Sequence, residues 1–132
     1  MTTRPLCILL CSGEHEKIQM AAMMASVAAV SERPVQVLVS MNAVLAFLKE
    51  PPDGARYHGG TYSGLMLEKG APDAVELFQQ GKMLGDLQAH VCSMAMDVGG
   101  WQEGDLVDDL FDGVMGLTKF LSDAEQAQFI TL

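Results

Sequence analysis

Cys92 lies where a short apolar strand, residues 87–91, is predicted to run into a helix. A thiol at the start of a helix faces the positive end of the helix dipole and the unpaired N–H groups of the first turn. Both features favour the thiolate, which is the nucleophilic form of cysteine. The position therefore predicts a reactive thiol, and the alternative is a cysteine that is only a small buried hydrophobe.

The first predicted strand, residues 6–11, holds two further cysteines. Cys11 ends this strand as Cys92 ends its own, so both are expected at the carboxyl edge of one sheet. If the two strands are neighbours, about 4.8 Å apart, a disulfide or a shared active site becomes possible. Cys7 lies inside the strand and is interpreted as core. Residues beside the two strand ends are the candidate binding residues: Cys11, Ser12, Gly13 and Ser93.

Metal and nucleotide sites are the rival kinds of chemistry. The side chains that could act as soft metal ligands are Cys11, His15, His58, His90 and Cys92. Their spacing does not match the paired CxxC or HxxxH intervals of structural zinc sites. In the turn after the first strand, Glu14 and Glu16 would repel a phosphate, and no Gly-rich fingerprint or P-loop occurs. We therefore predict no metal and no FMN or NAD cofactor.

The elements that must position these residues alternate between strand and helix. Continuous apolar or β-branched runs predict strands at residues 6–11, 35–39, 87–91 and 128–132, and a short one at 110–111. Helices are predicted at residues 14–31, 41–49, 72–84 and 113–121, and directly after Cys92. This alternation predicts a three-layer α/β domain with a mainly parallel sheet of about five strands. The first strand is expected to be central.

Residues 50–71 interrupt this pattern with Pro-Pro, Gly-Gly and isolated aromatic residues. The segment is too long for an ordinary connection in a compact domain. It is interpreted either as a flap over the site or as a solvated linker. We expect it to be more mobile than the strands and to lie near the thiol edge.

Length and composition restrict the class of protein. The 132 residues predict one domain, 1–132. With 49% hydrophobic and 19% charged residues, the chain is not disordered, and a buried subunit interface is expected. The net charge of −9 opposes binding to nucleic acid or to an anionic membrane.

The cellular compartment is predicted from apolar tracts and cysteines. The longest apolar tract, residues 20–30, is shorter than the roughly 18 residues that cross a bilayer. Residues 1–5 carry only Arg4 before a six-residue apolar run, so no secretory leader is predicted. An odd number of cysteines without an export signal predicts reduced thiols in the cytoplasm.

The sequence around Cys92 resembles a known cysteine motif. Residues 89–99, Ala-His-Val-Cys-Ser-Met-Ala-Met-Asp-Val-Gly, are similar to the motif of the DsrE/DsrF-like family of small sulfur-transfer proteins, in its peroxiredoxin-like branch. Further segments follow the order of elements in that family: residues 65–70, the helix after Pro72, and residues 104–108, 113–114, 120–121 and 129–130. The resemblance covers most of the chain, and its C-terminal half is the more specific part.

The resemblance implies a flavodoxin-like α/β/α domain that assembles into trimers or hexamers. It also implies that the motif cysteine, matched here by Cys92, carries sulfur as a persulfide between a sulfur-donor and a sulfur-acceptor protein. The sequence departs from the family at Cys11, at Trp101 and in residues 57–64. The identities of substrate and partner therefore stay open.

Three classes of function remain when the residues and the family resemblance are considered together. The first is a sulfur carrier, in which Ser93 and the following N–H groups stabilise the thiolate or persulfide of Cys92. Asp97 opposes this effect, because a nearby carboxylate raises the pKa of a thiol. The second is a dithiol redox protein that uses Cys11 and Cys92, and the third is a non-catalytic oligomeric binding module. His90 is interpreted as a structural residue that could also assist proton transfer.

Overall fold

The computed structural model describes residues 4–132. Residues 1–3, which belong to the segment for which no secretory leader is predicted, lie outside this range. Within it, five strands form one sheet: β1 Leu6–Leu10, β2 Val35–Val39, β3 Leu87–Cys92, β4 Gly113–Met115 and β5 Gln128–Thr131. Their order across the sheet is β4-β3-β2-β1-β5, and all four neighbouring pairs are parallel. The prediction of a parallel sheet of about five strands is confirmed.

Helices cover both faces of this sheet. The α-helices are α1 His15–Val30, α2 Thr61–Lys69, α3 Ala74–Leu84, α4 Ser93–Gly99 and α5 Leu117–Asp123. Two 3₁₀ helices, Met41–Phe47 and Glu103–Asp105, lie in the connections. The predicted three-layer α/β/α, flavodoxin-like architecture is confirmed. Within residues 4–132, no helix combines the length and the apolar character needed to cross a membrane.

One face of the sheet packs against α1 and α3. Ile8, Val37 and Ala89 form a row across β1, β2 and β3 on this face, and all three are buried. Four buried alanines of α1 let the helix lie close to its neighbours: Ala21, Ala22, Ala25 and Ala29. Small side chains reduce the distance at which helix and sheet backbones can pack. This face forms most of the hydrophobic core.

The opposite face of the sheet, against which α5 packs, is covered by much less helix. Side chains alternate along a strand, so Cys7 and its partner Gln36 point to this face, away from Ile8. Phe120 of α5 packs edge-on against Phe129 of β5, with ring centroids 5.8 Å apart. The Gln36 amide donates to the Asp123 carboxylate over 3.4 Å. Cys92 belongs to this face, because it is displaced by one residue from the core residue Val91.

Four sequence predictions about the elements are wrong. Residues 113–121 form β4 followed by α5 rather than one helix, and residues 110–111 are not a strand. A three-residue edge strand has no local pattern, since its pairing with β3 is a long-range contact. The first strand is interior but not central, because β2 occupies the middle of the sheet.

The fourth wrong prediction concerns residues 50–71, which contain the nine-residue helix α2. Gly60 precedes this helix, and Gly70 ends it with a left-handed φ of 70°, a common way for a helix to stop. These glycines suggested a loop although they are helix boundaries. The tip around Gly54 does keep turn structure.

The same segment is held to α1 and α3 through Tyr57. Its ring stacks on the His15 ring, with centroids 4.4 Å apart and planes 9° apart. The Tyr57 hydroxyl donates to Asp73 over 2.8 Å and accepts from the Val75 N–H over 3.1 Å. His15 Nδ1 lies 2.6 Å from the Ser63 hydroxyl. A solvated linker would not make these contacts.

The buried His15 predicts a pH dependence of stability. Burial lowers the pKa of His15 below its ordinary value near 6.5, although Glu14 and Asp73 oppose the shift. The unfolded chain therefore binds the proton more tightly, so this contribution to stability is present above about pH 6.5 and is lost as the pH falls through the folded pKa. Urea unfolding should give a free energy that falls between about pH 7.5 and about pH 5.5. His15→Gln should flatten this slope, and an unchanged slope would contradict the assignment.

Candidate functional site

The carboxyl ends of three strands form the row that contains the thiols. Leu10 pairs with Val39, and Val39 pairs with Val91. The residues that follow these three are Cys11, Ser40 and Cys92, which continue the row at the same edge of the sheet. The two thiols thus share one edge, as the sequence predicts, with a buried serine between them.

The two thiols do not lie on neighbouring strands, because β2 separates β1 from β3. Two strand spacings amount to about 9.6 Å, whereas a disulfide requires Cα atoms within about 7 Å. All three cysteines are free thiols. A bond between Cys11 and Cys92 therefore requires movement of the backbone. The two cysteines of the dithiol alternative are not already placed at disulfide distance.

Cys92 ends β3 and immediately precedes α4. Its backbone is extended, with φ −66° and ψ 126°, and it stands at the N-cap position without a side-chain hydrogen bond to the helix. The N–H groups of the first turn of α4 therefore lie beside the thiol without a side-chain cap. Cys92 is 7% exposed, so only a small part of the residue is in contact with solvent.

The other two thiols are less suited to nucleophilic chemistry. Burial raises the pKa of Cys11, and the charge of a Cys92 thiolate raises it further. Burial likewise raises the pKa of Cys7, followed by the effect of Asp123. Cys7 is 2% exposed and lies inside β1, as expected of a core residue. Both thiols thus favour the protonated, less reactive form.

The candidate binding residues divide into two groups. The Ser12 hydroxyl accepts from the Glu14 N–H over 3.1 Å and so stabilises the turn before α1. A Cβ at Gly13 would lie 2.5 Å from the Asn42 side-chain nitrogen and 3.0 Å from the Asn42 carbonyl oxygen, so the glycine allows this turn to pack closely. These two residues have structural roles. Ser93 directly follows Cys92, and its Oγ lies 3.9 Å from the position of a Cβ at Gly116, the residue before α5.

Ser40 is not among the residues predicted from the sequence for this row, and His90 is interpreted there as a structural residue that could assist proton transfer. Ser40 follows β2 directly, so the logic that found Cys11 and Cys92 would also have found it. His90 lies two residues before Cys92 on the same face of β3, and its Nδ1 is buried without a hydrogen-bond partner. A buried nitrogen without a partner costs about 1–3 kcal/mol. Across residues 4–132, no three His, Cys, Asp or Glu side chains are grouped closely enough to hold a metal ion.

Comparison with known proteins informs the fold. No protein-family model matches the chain, and no curated protein is similar to it. A solved structure of a protein of unknown function, MTH1491 from Methanobacterium thermoautotrophicum, matches with a TM-score of 0.65 and 13% sequence identity. The match covers 98% of this chain and 100% of that chain. At this level of identity, the likeness extends to the fold alone.

Proposed function

We propose that the protein is a sulfur carrier, which holds sulfane sulfur as a persulfide on Cys92 and passes it to a thiol of a partner protein. The observation that carries the proposal is the position of Cys92 at the end of β3 and the start of α4. Ligands of parallel α/β sheets bind beyond the carboxyl ends of the strands. The resemblance of residues 89–99 to the DsrE/DsrF-like cysteine motif supports the same role.

Loading is a transfer of one sulfur atom to the Cys92 thiolate. The thiolate attacks the terminal sulfur of a donor persulfide or polysulfide, and a new bond forms between Sγ and that sulfur. The bond between the two donor sulfurs breaks, and the donor leaves as a thiolate or shortened polysulfide. Unloading repeats the exchange with a partner thiolate as nucleophile and the Cys92 thiolate as leaving group. No external oxidant or reductant is needed.

The burial of the Cys92 thiol suits such a carrier. The free thiol is shielded from most of the solvent. A sulfur–sulfur bond of about 2.05 Å moves the reactive outer sulfur away from the buried Sγ. The first-turn N–H groups of α4 favour negative charge on either sulfur. His90 lies on the same face of β3 with its Nδ1 buried and unpaired, and we assign it the role of hydrogen-bond partner to the loaded cysteine.

The proposal is tested by incubating the reduced protein with polysulfide and measuring its intact mass. A carrier gains the mass of one sulfur atom, and a thiol reductant then removes it. A dithiol redox protein instead loses two hydrogens when Cys11 bonds to Cys92. An unchanged mass would leave the binding-module alternative and overturn the carrier proposal.

The carrier role fits a reducing compartment, where thiols are regenerated, so we propose a cytoplasmic location. The three free cysteines support this location.

We further propose a homotrimer or homohexamer. Four large side chains on α1 are exposed, Met20, Met23, Val27 and Val30, and the first three of them border a groove of about 580 Å³ that reaches Leu6 and Ile130. Exposed apolar surface of this kind is typical of subunit interfaces. Light scattering should give the mass of at least three chains, whereas a monomer mass across micromolar concentrations would contradict the assembly.

A further inference from the structure

An apolar groove of about 300 Å³ opens between the Met41–Phe47 helix and α4. Its apolar lining comes from Met41, Leu45, Met94, Val98 and Trp101. Val98 is 82% exposed, Met94 is 53% exposed and Met41 is 47% exposed. We refer to this feature as the α4 groove. These apolar side chains form one concave surface rather than scattered exposed residues.

Both walls of the α4 groove begin at the strand ends that hold the site. Met41 directly follows Ser40 at the end of β2, and Met94 is the second residue after Cys92. One helical turn rises about 5.4 Å, so the near wall lies within one turn of the thiol. A peptide segment in the groove therefore also reaches the Cys92 end of the sheet.

Two backbone features shape the groove. Met41 has a left-handed φ of 49°, which is uncommon for a residue other than glycine. Such strain is concentrated at functional sites. A Cβ at Gly99 would lie 2.1 Å from the Trp101 ring, so only glycine lets this ring lie against the end of α4. The methionines are flexible, which suits contact with side chains of varied shape.

The charge beside the groove is predominantly negative. Trp101 also borders an adjoining cleft that contains Glu50, Asp105 and Lys49. Lys49 Nζ lies 3.4 Å from the carboxylate of Asp108, which offsets its charge. Asp97 is exposed on α4 next to Val98, and the whole chain has a net charge of −9. This field attracts cationic protein segments and repels small anions.

We propose that the α4 groove is the docking site for a basic, cysteine-bearing segment of a partner protein. This inference rests on the proposed carrier function and names the partner class for it. An apolar side chain beside the partner cysteine occupies the groove, and basic residues of the segment face Asp97, Glu50 and Asp105. The partner thiolate attacks the outer sulfur of the Cys92 persulfide, and Cys92 leaves as a thiolate.

The test measures sulfur transfer from the polysulfide-loaded protein to synthetic peptides. Two peptides of equal length present a cysteine next to leucine, one flanked by lysines and the other by glutamates. Transfer to the lysine peptide should be at least about tenfold faster at low ionic strength, and this difference should shrink as salt is added.

A pair of variants separates the groove from general surface effects. Val98→Asn removes the most exposed apolar side chain of the groove and should slow transfer to the lysine peptide about tenfold, as expected for losing one buried apolar contact. Met83→Asn is the matched control, because Met83 is 76% exposed near the end of α3, which leads into the amino end of β3, whereas Cys92 lies at its carboxyl end. Both variants should load sulfur from polysulfide as the parent does.

Each outcome distinguishes the docking proposal from the carrier function. If the parent protein gains no sulfur, the carrier function itself is overturned, and the docking proposal that rests on it is overturned as well. A loaded parent that transfers equally fast to both peptides, or a Val98→Asn protein that transfers at the parent rate, overturns the docking site only. If Val98→Asn lowers the oligomer mass in light scattering, the groove is a contact between copies of this chain, and the docking proposal is again overturned.

Discussion

The Cys92→Ser protein is expected to gain no sulfur from polysulfide, whereas the parent gains one atom per chain. Serine keeps nearly the size of cysteine, so this 7% exposed position is filled without a cavity. Its hydroxyl is a far weaker nucleophile at neutral pH and cannot form a persulfide. Intact mass after loading should therefore show at least about a hundredfold less sulfur, with unchanged circular dichroism.

The other cysteines provide matched controls for this result. Cys11→Ser should alter loading only in part, because Cys11 lies at the same edge of the sheet as Cys92 but is separated from it by β2. Cys7→Ser should load normally and lose about 1–3 kcal/mol of stability, since a hydroxyl replaces a buried apolar thiol. If Cys92→Ser loads like the parent, Cys11 becomes the thiol to test.

Local sequence pattern was sufficient for the elements that are continuous and strongly apolar. β2 has the predicted bounds, and β1, β3 and β5 differ from their predicted bounds by one residue at one end. Helices α1 and α3 were also expected in these places. β4 was missed because three residues at a sheet edge are defined by their partner strand rather than by their own sequence. α2 was missed because its boundary glycines also fit a loop.

For the candidate site too, features encoded by neighbouring residues were predictable, whereas features that depend on the order of the strands were not. Cys92 was identified because a strand end and a helix start are encoded within a few residues. Its separation from Cys11 depends on strand order, which places β2 between them and which no local pattern specifies. The α4 groove was also missed, because it requires the 3₁₀ helix Met41–Phe47 to meet a helix more than forty residues further along the chain.

A second large effect is expected at Gly85, which joins α3 to β3. A Cβ built there would lie 2.2 Å from the carbonyl oxygen of Ala29 and 2.4 Å from the carbonyl carbon of Ala29. The φ of Gly85 is −149°, an ordinary extended conformation, so the requirement for glycine is one of space alone. The obstacle is the backbone of α1, whose buried alanines hold it against the sheet. Relief therefore requires a shift of α1 or of the start of β3.

Gly85→Ala should lower the free energy of unfolding by about 3 kcal/mol, because overpacking against a fixed backbone is at the costly end of such changes. Gly64→Ala is the matched control. Gly64 lies inside α2 with nothing within 4 Å of its Cβ position, so alanine should add about 0.5–1 kcal/mol through helix propensity. Urea unfolding of the two proteins measures both values.

The same variant separates stability from sulfur chemistry. Gly85 lies before β3 and Cys92 ends it, so the substitution acts at the far end of the strand from the thiol. At temperatures where Gly85→Ala is still folded, it should load sulfur to the parent stoichiometry, and loading should fall only with the folded fraction. A Gly85→Ala protein as stable as the parent would contradict the close approach to Ala29. A folded Gly85→Ala protein that fails to load would instead show that the position of β3 affects the reactivity of the Cys92 thiol.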